Sequence, residues 1–299
     1  MNTLETLNFQ GWNVLRKLGR GGFKDVYEIE KQSKKEALKV SFLEDTSIAD
    51  TAEQEQFSNE IIARTEREIQ LIRKYGGNEV VSLGSISGQR TIFDEKEAYL
   101  YSEEFLPGTV LNKLIQKNKQ SQERPAWKDI LCLYKTGIAI LNRFFADGII
   151  YRDIKPQNIM ATDITNRPFV FFDFGIAFLT QGTSLTQRTL GPGTLRYRAP
   201  ETLDANYRGL LDVRSDLFSL AATVFEFATN KHPIHEGAVG EGETIYRLMK
   251  QVAIPLELER KDLPLEFCNL INMSLKKRPA LRPNLANVNK TLGNLSEVL

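Results

Sequence analysis

Two polar motifs separated by an apolar stretch constrain this chain more than any other feature of its sequence. The first is the octapeptide Tyr151-Arg152-Asp153-Ile154-Lys155-Pro156-Gln157-Asn158, and the second is Asp173-Phe174-Gly175. The octapeptide places a carboxylate, a lysine and an amide on one short turn, and the second motif adds another carboxylate. Side chains of these types can together bind Mg²⁺, stabilise a phosphoryl group during transfer and accept a proton from a hydroxyl nucleophile.

The composition excludes several classes of partner. Across 299 residues, 39 Lys and Arg balance 38 Asp and Glu, so no bulk attraction to nucleic acid or to a membrane surface is expected. The longest apolar stretch, Phe169–Leu179, is far shorter than the roughly 20 residues of a spanning helix, and Met1–Glu5 shows no secretory signal. Cys132 and Cys268 lie in apolar helical patterns typical of reduced thiols. The sequence predicts a cytoplasmic protein with no nucleic-acid or membrane partner.

The first hundred residues are rich in strand-like runs and contain one helical pattern. The predicted strands are Val14–Leu18, Val26–Ile29, Ala37–Val40, Val80–Leu83 and Tyr99–Phe105. An amphipathic helix is indicated by residues at helical spacing, namely Ile61, Thr65, Ile69 and Ile72.

The pattern becomes helical after the segment Leu106-Pro107-Gly108. One predicted helix buries the face formed by Ile130, Tyr134, Ile138, Leu141 and Phe145. A second, more apolar helix covers Leu217–Ala228, and Thr244 is the expected N-cap of a third. The polar segment 113–125 predicts the end of a surface helix and the loop that follows it. The polar segment 236–243 predicts an acidic loop. The change of pattern predicts a small β-rich lobe at 1–105 and a larger helical lobe at 106–299.

The two polar motifs resemble the H-R-D-L-x-x-x-N and D-F-G signatures of protein kinases. The spacing from Asp153 to Asn158 is that of the family, and Tyr151 departs from the usual histidine. The resemblance implies an α+β fold with two lobes, a β-rich N-lobe and a mainly helical C-lobe, forming a single kinase domain over 1–299. It also implies that ATP and a divalent cation bind between the lobes.

The resemblance assigns a role to each polar residue of the two motifs. Asp153 would be the catalytic base, and Lys155 would neutralise charge on the transferring phosphate. Asn158, also counted as catalytic, and Asp173 would bind Mg²⁺, or Mn²⁺ as the alternative, through hard oxygen ligands.

The segment from Gly19 to Val26 resembles the glycine-rich loop of kinases, with Lys24 at the third glycine position. The Lys24 ammonium either faces the phosphates or restricts the loop, and the sequence leaves both interpretations open. The resemblance implies that these residues bind the nucleotide: Gly19, Gly21, Gly22, Val26, Ala37, Lys39, Glu68, Glu104 and Leu106.

Within that set, Lys39 would bind the α- and β-phosphates and pair with Glu68 on the following helix. Glu60 and Glu66 are competing partners, and the separation of 29 residues (68 − 39) predicts an insertion around 44–56. The backbone of Glu104 and Leu106 would read the adenine edge. This alignment places Glu103 behind the nucleotide, where a buried carboxylate without a partner would be costly.

Further resemblances extend beyond the catalytic motifs. The segment Gly193–Glu201 is similar to the end of a kinase activation loop, which implies an ion pair between Glu201 and Arg282. Asp216 is similar to the aspartate that anchors the catalytic-loop backbone. These elements favour a protein kinase over a kinase for a small metabolite or antibiotic.

The implied activity is ATP-dependent phosphorylation of serine and threonine residues in protein substrates, since Lys155-Pro156-Gln157-Asn158 and Gly193-Thr194 resemble the serine/threonine type. The expected activation segment also contains the hydroxyl residues Thr183, Ser184, Thr186 and Thr189. Arg152 could pair with a phosphate added there, which predicts autophosphorylation through transient self-association. The rival hypothesis is a pseudokinase that binds a nucleotide or partner without turnover, suggested by Lys24, Glu103 and Tyr151.

Overall fold

The computed structural model describes residues 8–20, 24–175, 178–179, 195–203, 212–234, 237 and 240–296. The chain divides into two compact units. The first comprises Met1–Pro107 together with Asp173–Gly175, and the second comprises Gly108–Phe172 together with Ile176–Leu299. The first unit therefore ends within the segment where the hydrophobic pattern changes, although it also recruits the second polar motif.

The first unit is built on one antiparallel sheet. Its strands are β1 (Asn8–Phe9), β2 (Trp12–Arg20), β3 (Lys24–Lys31), β4 (Lys34–Phe42), β5 (Gln89–Phe93) and β6 (Lys96–Glu104). Their order across the sheet is β1-β2-β3-β4-β6-β5. The chain leaves the sheet after β4, forms a helix, and returns to place β6 beside β4.

Strand alternation gives this sheet two different faces, because successive side chains point to opposite sides. One face holds an apolar cluster that includes Tyr27, Ile29, Leu38, Val40 and Leu100. Each fully buried residue of this kind contributes roughly 1.5–3 kcal/mol. The register places a second set of residues on the opposite face: Lys24, Val26, Ala37, Lys39 and Glu103.

The helix of the first unit, α1, spans Thr51–Tyr75. Asp50 caps it, because its Oδ1 accepts the Glu53 N–H at 2.9 Å. The predicted buried positions Ile61, Ile69 and Ile72 are confirmed. The helix begins at Thr51, so part of the stretch expected as an insertion lengthens it.

One strand prediction in this unit is wrong, and one strand was missed. Residues 80–83 do not form a regular strand, since Leu83 makes only an isolated bridge to Glu103. The strand Gln89–Phe93 was missed, because its mixed polar and apolar residues suit a sheet edge and lack a continuous apolar run. Apolar runs in the sequence therefore predicted the central strands of the sheet better than its edge strand.

The second unit is mainly helical. Its helices are α2 (Leu111–Ser121), α3 (Trp127–Ala146), α4 (Val213–Thr229), α5 (Glu241–Lys250), α6 (Leu256–Glu259), α7 (Leu265–Ser274) and α8 (Leu285–Ser296). The helices α3 and α4 approach closely where Gly137 faces Leu220, since a Cβ at Gly137 would lie 2.5 Å from Leu220 Cδ1. Nearly every residue of α4 is buried, so the predicted core helix is confirmed.

Two details of the predicted helices were wrong. Phe145 is 55% exposed, and Phe144 takes the inward position in the last turn of α3. Thr244 is not the N-cap of α5, because the helix begins at Glu241 and the Thr244 Oγ1 donates back to the Gly240 carbonyl at 2.8 Å. The acidic stretch therefore supplies the first turn of the helix, where negative charge is favourable.

Short strands connect the helices and hold the first polar motif. β7 (Gly108–Val110), β9 (Ile159–Thr162) and β10 (Phe169–Phe171) form a sheet in the order β10-β9-β7. β8 (Ile149–Ile150) pairs with β11 (Phe178–Leu179). Gly108 has a φ of 142°, and a Cβ there would lie 2.1 Å from the Ala161 carbonyl, so only glycine fits at the start of β7.

Both cysteines are free, as expected for reduced thiols, and burial raises the pKa of each. No helix in the described part of the chain combines the length and the apolar character that a bilayer crossing requires.

Candidate active site

The first polar motif forms a hydrogen-bonded turn between β8 and β9. The Asp153 Oδ2 accepts a hydrogen bond from the Lys155 Nζ at 2.7 Å and another from the Asn158 Nδ2 at 2.9 Å. The Asn158 Nδ2 also donates to the Asp153 carbonyl at 3.0 Å. Pro156–Asn158 form a single 3₁₀ turn, which brings the Asn158 side chain back to Asp153. The three residues expected to be catalytic are thus in direct contact.

Asp216, near the start of α4, holds the backbone of this turn. Its Oδ2 accepts the Tyr151 N–H and its Oδ1 accepts the Arg152 N–H, each at 2.8 Å. The predicted anchoring role is therefore confirmed. Burial raises the pKa of Asp216 to about 7, while the two N–H donors act in the opposite direction.

Tyr151, which stands where the family usually has histidine, is packed into the interior of the second unit. Its side chain is fully buried, and its ring packs edge-on against Phe144 with centroids 5.9 Å apart. Its hydroxyl donates to the Phe172 carbonyl at 2.9 Å. Tyr151 thereby fixes the backbone of Phe172, the residue immediately before the second polar motif.

The second motif packs with the first unit. Asp173 has a φ of 65°, a left-handed conformation that is costly for a residue other than glycine. Its neighbour Phe174 donates its backbone N–H to the Glu68 Oε1 at 3.1 Å. The Glu68 carboxylate of α1 thereby fixes the backbone directly after Asp173.

The resemblance implies an ion pair between Lys39 and Glu68, whereas the structure pairs each of them with another residue. The Glu68 Oε2 instead pairs with the Nζ of Lys24, which also lies 3.5 Å from the Asp173 Oδ1. Lys39 pairs with Glu103, at 3.2 Å. The physical reason is the register of the sheet, because Lys39 lies opposite Tyr101 on β6 and so beside Glu103, whereas Lys24 lies further along the same face.

Glu103 has the partners that a buried carboxylate needs. Besides Lys39, the Tyr101 hydroxyl donates to its Oε1 at 2.9 Å. Burial raises the pKa of Glu103, and the Lys39 charge opposes that shift. The competing carboxylates on α1 have other roles, since Glu60 pairs with Arg64 and Glu66 accepts the Tyr99 hydroxyl.

The remaining predicted nucleotide residues lie on the same sheet face or at its end. Gly19 pairs with Val26 across β2 and β3, and Val26 pairs with Lys39 across β3 and β4, while Ala37 lies opposite Glu103. The Glu104 N–H donates to the Ser82 carbonyl at 2.9 Å. Leu106 is buried just after β6, and Gly21 and Gly22 lie outside the described residues.

The contact that sequence reasoning missed is the one joining Lys24, Glu68 and Asp173. One signal was present, since a lysine replaces glycine within a phosphate-binding pattern. Burial lowers the pKa of Lys24, but the Glu68 and Asp173 carboxylates outweigh that effect and raise the pKa above its ordinary value. Lys24 is therefore a permanently charged group in a mostly buried position.

The end of the expected activation segment is described from Leu195, whereas Thr183, Ser184, Thr186, Thr189 and Gly193-Thr194 lie outside the described residues. The predicted ion pair of Glu201 and Arg282 is confirmed and is bidentate, with N–O distances of 2.6 and 2.8 Å. It ties this segment to the loop before α8.

Comparison with known proteins identifies the family of this chain. The sequence profile of the protein kinase domain matches residues 12–292. A probable serine/threonine-protein kinase of Clostridium acetobutylicum is 31% identical over 197 residues, which cover 65% of this chain and 28% of that protein. The serine/threonine-protein kinase PknD of Mycobacterium tuberculosis is 26% identical over 280 residues, which cover 92% of this chain and 38% of PknD.

The probable serine/threonine-protein kinase PknB of Lactococcus lactis is 26% identical over 224 residues, or 74% of this chain and 32% of PknB. The chain thus spans less than half the length of these curated relatives. Because the family profile covers nearly the whole sequence and the expected anchoring contacts are present, the chain belongs to the protein kinase domain family.

Proposed function

We propose that this chain transfers the γ-phosphoryl group of ATP to serine and threonine hydroxyls of protein substrates. The observation that carries the proposal is the hydrogen-bonded set of Asp153, Lys155 and Asn158. The carboxylate of Asp216 fixes the backbone of this turn through the Arg152 N–H. The relatives named above are described as serine/threonine-protein kinases or probable ones, which supports the same substrate class.

The contacts of Asp153 suit it to accept the proton of the substrate hydroxyl. Lys155 and Asn158 both bind its Oδ2, so the plane of the carboxylate and the direction of Oδ1 are fixed before a substrate arrives. The Lys155 ammonium also supplies positive charge beside the site of transfer. In this family, catalysis depends mainly on such positioning and charge stabilisation.

Asn158 and Asp173 are the proposed ligands of the divalent cation, Mg²⁺ or Mn²⁺. The Asn158 Nδ2 is committed to Asp153, which orients its Oδ1 as the atom able to bind a cation. Within the described residues, no group of three or more His, Cys, Asp or Glu side chains could hold a metal alone. Mg²⁺ commonly uses one or two protein oxygens together with substrate phosphates, which matches the two proposed ligands. When bound, the ion would neutralise phosphate charge.

The nucleotide residues remain a proposal supported by the sheet register. Gly19, Val26 and Ala37 share a face with both lysines. Since the Glu104 N–H is committed to Ser82, we assign its carbonyl, together with the Leu106 backbone, to the adenine edge. We also propose that both units act as one kinase domain.

The test is transfer of labelled phosphate from ATP to a generic protein substrate, followed by phosphoamino-acid analysis. We expect label on serine and threonine, and a loss of at least about 100-fold in rate for Asp153→Asn. The matched control is Asp163→Asn, because Asp163 is an exposed residue of the loop after β9. Binding of ATP by the native chain without any transfer would favour the pseudokinase instead.

We further propose that the chain phosphorylates its own activation segment, with Thr183, Ser184, Thr186 and Thr189 as acceptors and Arg152 as the partner of the added phosphate. Mass spectrometry after incubation with ATP and Mg²⁺ tests this proposal. Absence of phosphate between 183 and 194 in an otherwise active preparation would refute it. A rate of self-labelling that rises with protein concentration would support transient self-association.

A further inference from the structure

The buried carboxylate that α1 contributes, Glu68, is bound by a lysine that the resemblance did not assign to it. Glu68 is fully buried in α1, and its two oxygens have separate partners: Lys24 at Oε2 and the Phe174 N–H at Oε1. A buried carboxylate requires compensation of this kind, because isolated charge is costly away from water. Lys24 is therefore the cation that neutralises Glu68.

Lys39, in contrast, neutralises Glu103. Both side chains are almost fully buried, with 7% and 3% of their surfaces exposed. Removal of one partner from a buried pair leaves an uncompensated charge and is strongly destabilising. The Lys39 ammonium is therefore required as the countercharge of Glu103.

The strand register shows why the two lysines can exchange roles. Lys24 lies opposite Ser41, and Val26 lies opposite Lys39, so both lysines point to the same face two positions apart. This offset is about 7 Å along the strand direction, and the two neighbouring strands lie about 5 Å apart. A lysine side chain can cover such a distance, so either residue could direct its ammonium toward one point above the sheet.

Lys24 also lies beside the proposed metal ligand. Its Nζ is 3.5 Å from the Asp173 Oδ1, and 15% of its side chain remains exposed. The Gly175 backbone passes close by, since a Cβ there would lie 3.4 Å from the Lys24 Nζ. Lys24 thus joins the helix carboxylate to the aspartate of the second polar motif within one unit.

From these contacts we infer that Lys24, rather than Lys39, is the lysine that contacts the phosphates of the nucleotide. Lys39 is then a positioning residue that keeps Glu103 neutralised behind the nucleotide. This inference rests on the proposed function and deepens it. The two departures from the family pattern, Lys24 and Glu103, are then linked. Lys24 is the partner of Glu68, and Glu103 is the partner of Lys39.

Calorimetric titration with Mg-ATP and with adenosine separates the two lysines, because only ATP carries phosphates. We expect Lys24→Met to weaken ATP binding about 10- to 100-fold, as for the loss of a charged hydrogen bond, and to leave adenosine binding unchanged. Since Lys24→Met leaves Glu68 unpaired, the variant Lys24→Met/Glu68→Gln is measured as well. It removes that charge and keeps the amide oxygen for Phe174.

The variant Lys39→Met/Glu103→Met removes the second pair as a unit. We expect it to keep the preference for ATP over adenosine within about threefold of the native chain. A change of that size is ordinary for a substitution that removes no contact with the ligand. Lys31→Met is the matched control, because Lys31 is an exposed lysine on the same strand, β3. Thermal unfolding of every variant verifies folding.

Loss of the ATP preference in Lys39→Met/Glu103→Met, with retention in the Lys24 variants, would overturn the inference. An equal loss in both would also overturn it, because Lys24 would then have no special role. The proposed function is judged separately, by phosphate transfer from the native chain. A native chain that binds ATP without transfer would refute the kinase proposal, while the binding ratios would still decide between the two lysines.

Discussion

Asp216 accepts the backbone N–H of Arg152 at 2.8 Å, and Arg152 itself has a φ of 71°. A left-handed conformation costs a residue other than glycine about 1–3 kcal/mol and persists only where surrounding contacts enforce it. The second Asp216 oxygen holds the adjacent Tyr151 N–H. Asp216 thus stabilises the strained backbone immediately before Asp153.

Substitution Asp216→Asn should release this turn. One carboxylate oxygen becomes an NH₂ group facing a backbone N–H, so one buried donor loses its acceptor. We expect a loss of about 2–4 kcal/mol in the free energy of unfolding and at least about a tenfold fall in kcat. Denaturant unfolding and steady-state kinetics measure the two effects. The control is Asp212→Asn at the N-cap of α4, where asparagine caps as well as aspartate. Equal effects of both substitutions would contradict the assigned role.

The pKa of Asp216 predicts a pH dependence of stability. Burial raises the pKa to about 7, whereas the unfolded chain has the ordinary value of 3.8. Between these values the folded state holds a proton that the unfolded state has released. Stability due to this group is therefore complete below the unfolded pKa and is lost as pH rises through the folded pKa.

The limiting slope is about 1.4 kcal/mol per pH unit for one proton. Urea unfolding between about pH 5 and about pH 7 should therefore show a steeper fall in stability for the native chain than for Asp216→Asn. Parallel curves for the two proteins would show that Asp216 takes up no proton in this range.

The parts of the site that sequence could predict are those fixed by short-range geometry. Asp153, Lys155 and Asn158 lie within one turn, so their spacing alone brings them together. Similarly, Ala37 and Lys39 are two positions apart on one strand, so strand geometry alone puts them on the same face of the sheet. Such local spacing can be predicted correctly even where the tertiary arrangement of the chain is not known.

The partner of each lysine could not be predicted in this way. Lys24 and Lys39 share a face, and α1 offers several carboxylates, so composition allowed more than one pairing. The choice depends on strand register and on how α1 packs over the sheet, which are tertiary properties. The helix start at Glu241 was missed for a related reason, since its first turn is acidic and reads as a loop.

Tyr151 should act as a structural residue and not as a participant in phosphate transfer. Tyr151→Phe removes the hydrogen bond to the Phe172 carbonyl and keeps the ring packing, so we expect a loss of about 1 kcal/mol with kcat within about threefold of the native value. Tyr151→Ala also removes the buried ring and should cost about 3–5 kcal/mol. A large fall in kcat for Tyr151→Phe, without loss of stability, would show a direct catalytic role.

The pair of Glu201 and Arg282 provides the strongest test of stability outside the site. Both side chains are buried, and the guanidinium also donates to the Lys276 carbonyl at 2.7 Å and packs on the Phe218 ring. The Ser215 hydroxyl donates to the Glu201 Oε1 at 2.7 Å. The pair is therefore desolvated and surrounded by fixed partners, unlike an ion pair at the surface.

Arg282→Met should lower the free energy of unfolding by about 3–5 kcal/mol, because Glu201 is left buried without its countercharge. Arg282→Lys should rescue little, since an ammonium cannot reproduce the two parallel hydrogen bonds. The exposed pair of Arg90 and Glu97 is the control, and Arg90→Met should change stability far less than Arg282→Met, because solvent screens an exposed ion pair. Glu201→Met/Arg282→Met should cost less than the sum of its single substitutions. Additive losses in chemical denaturation would show that the two charges do not depend on each other.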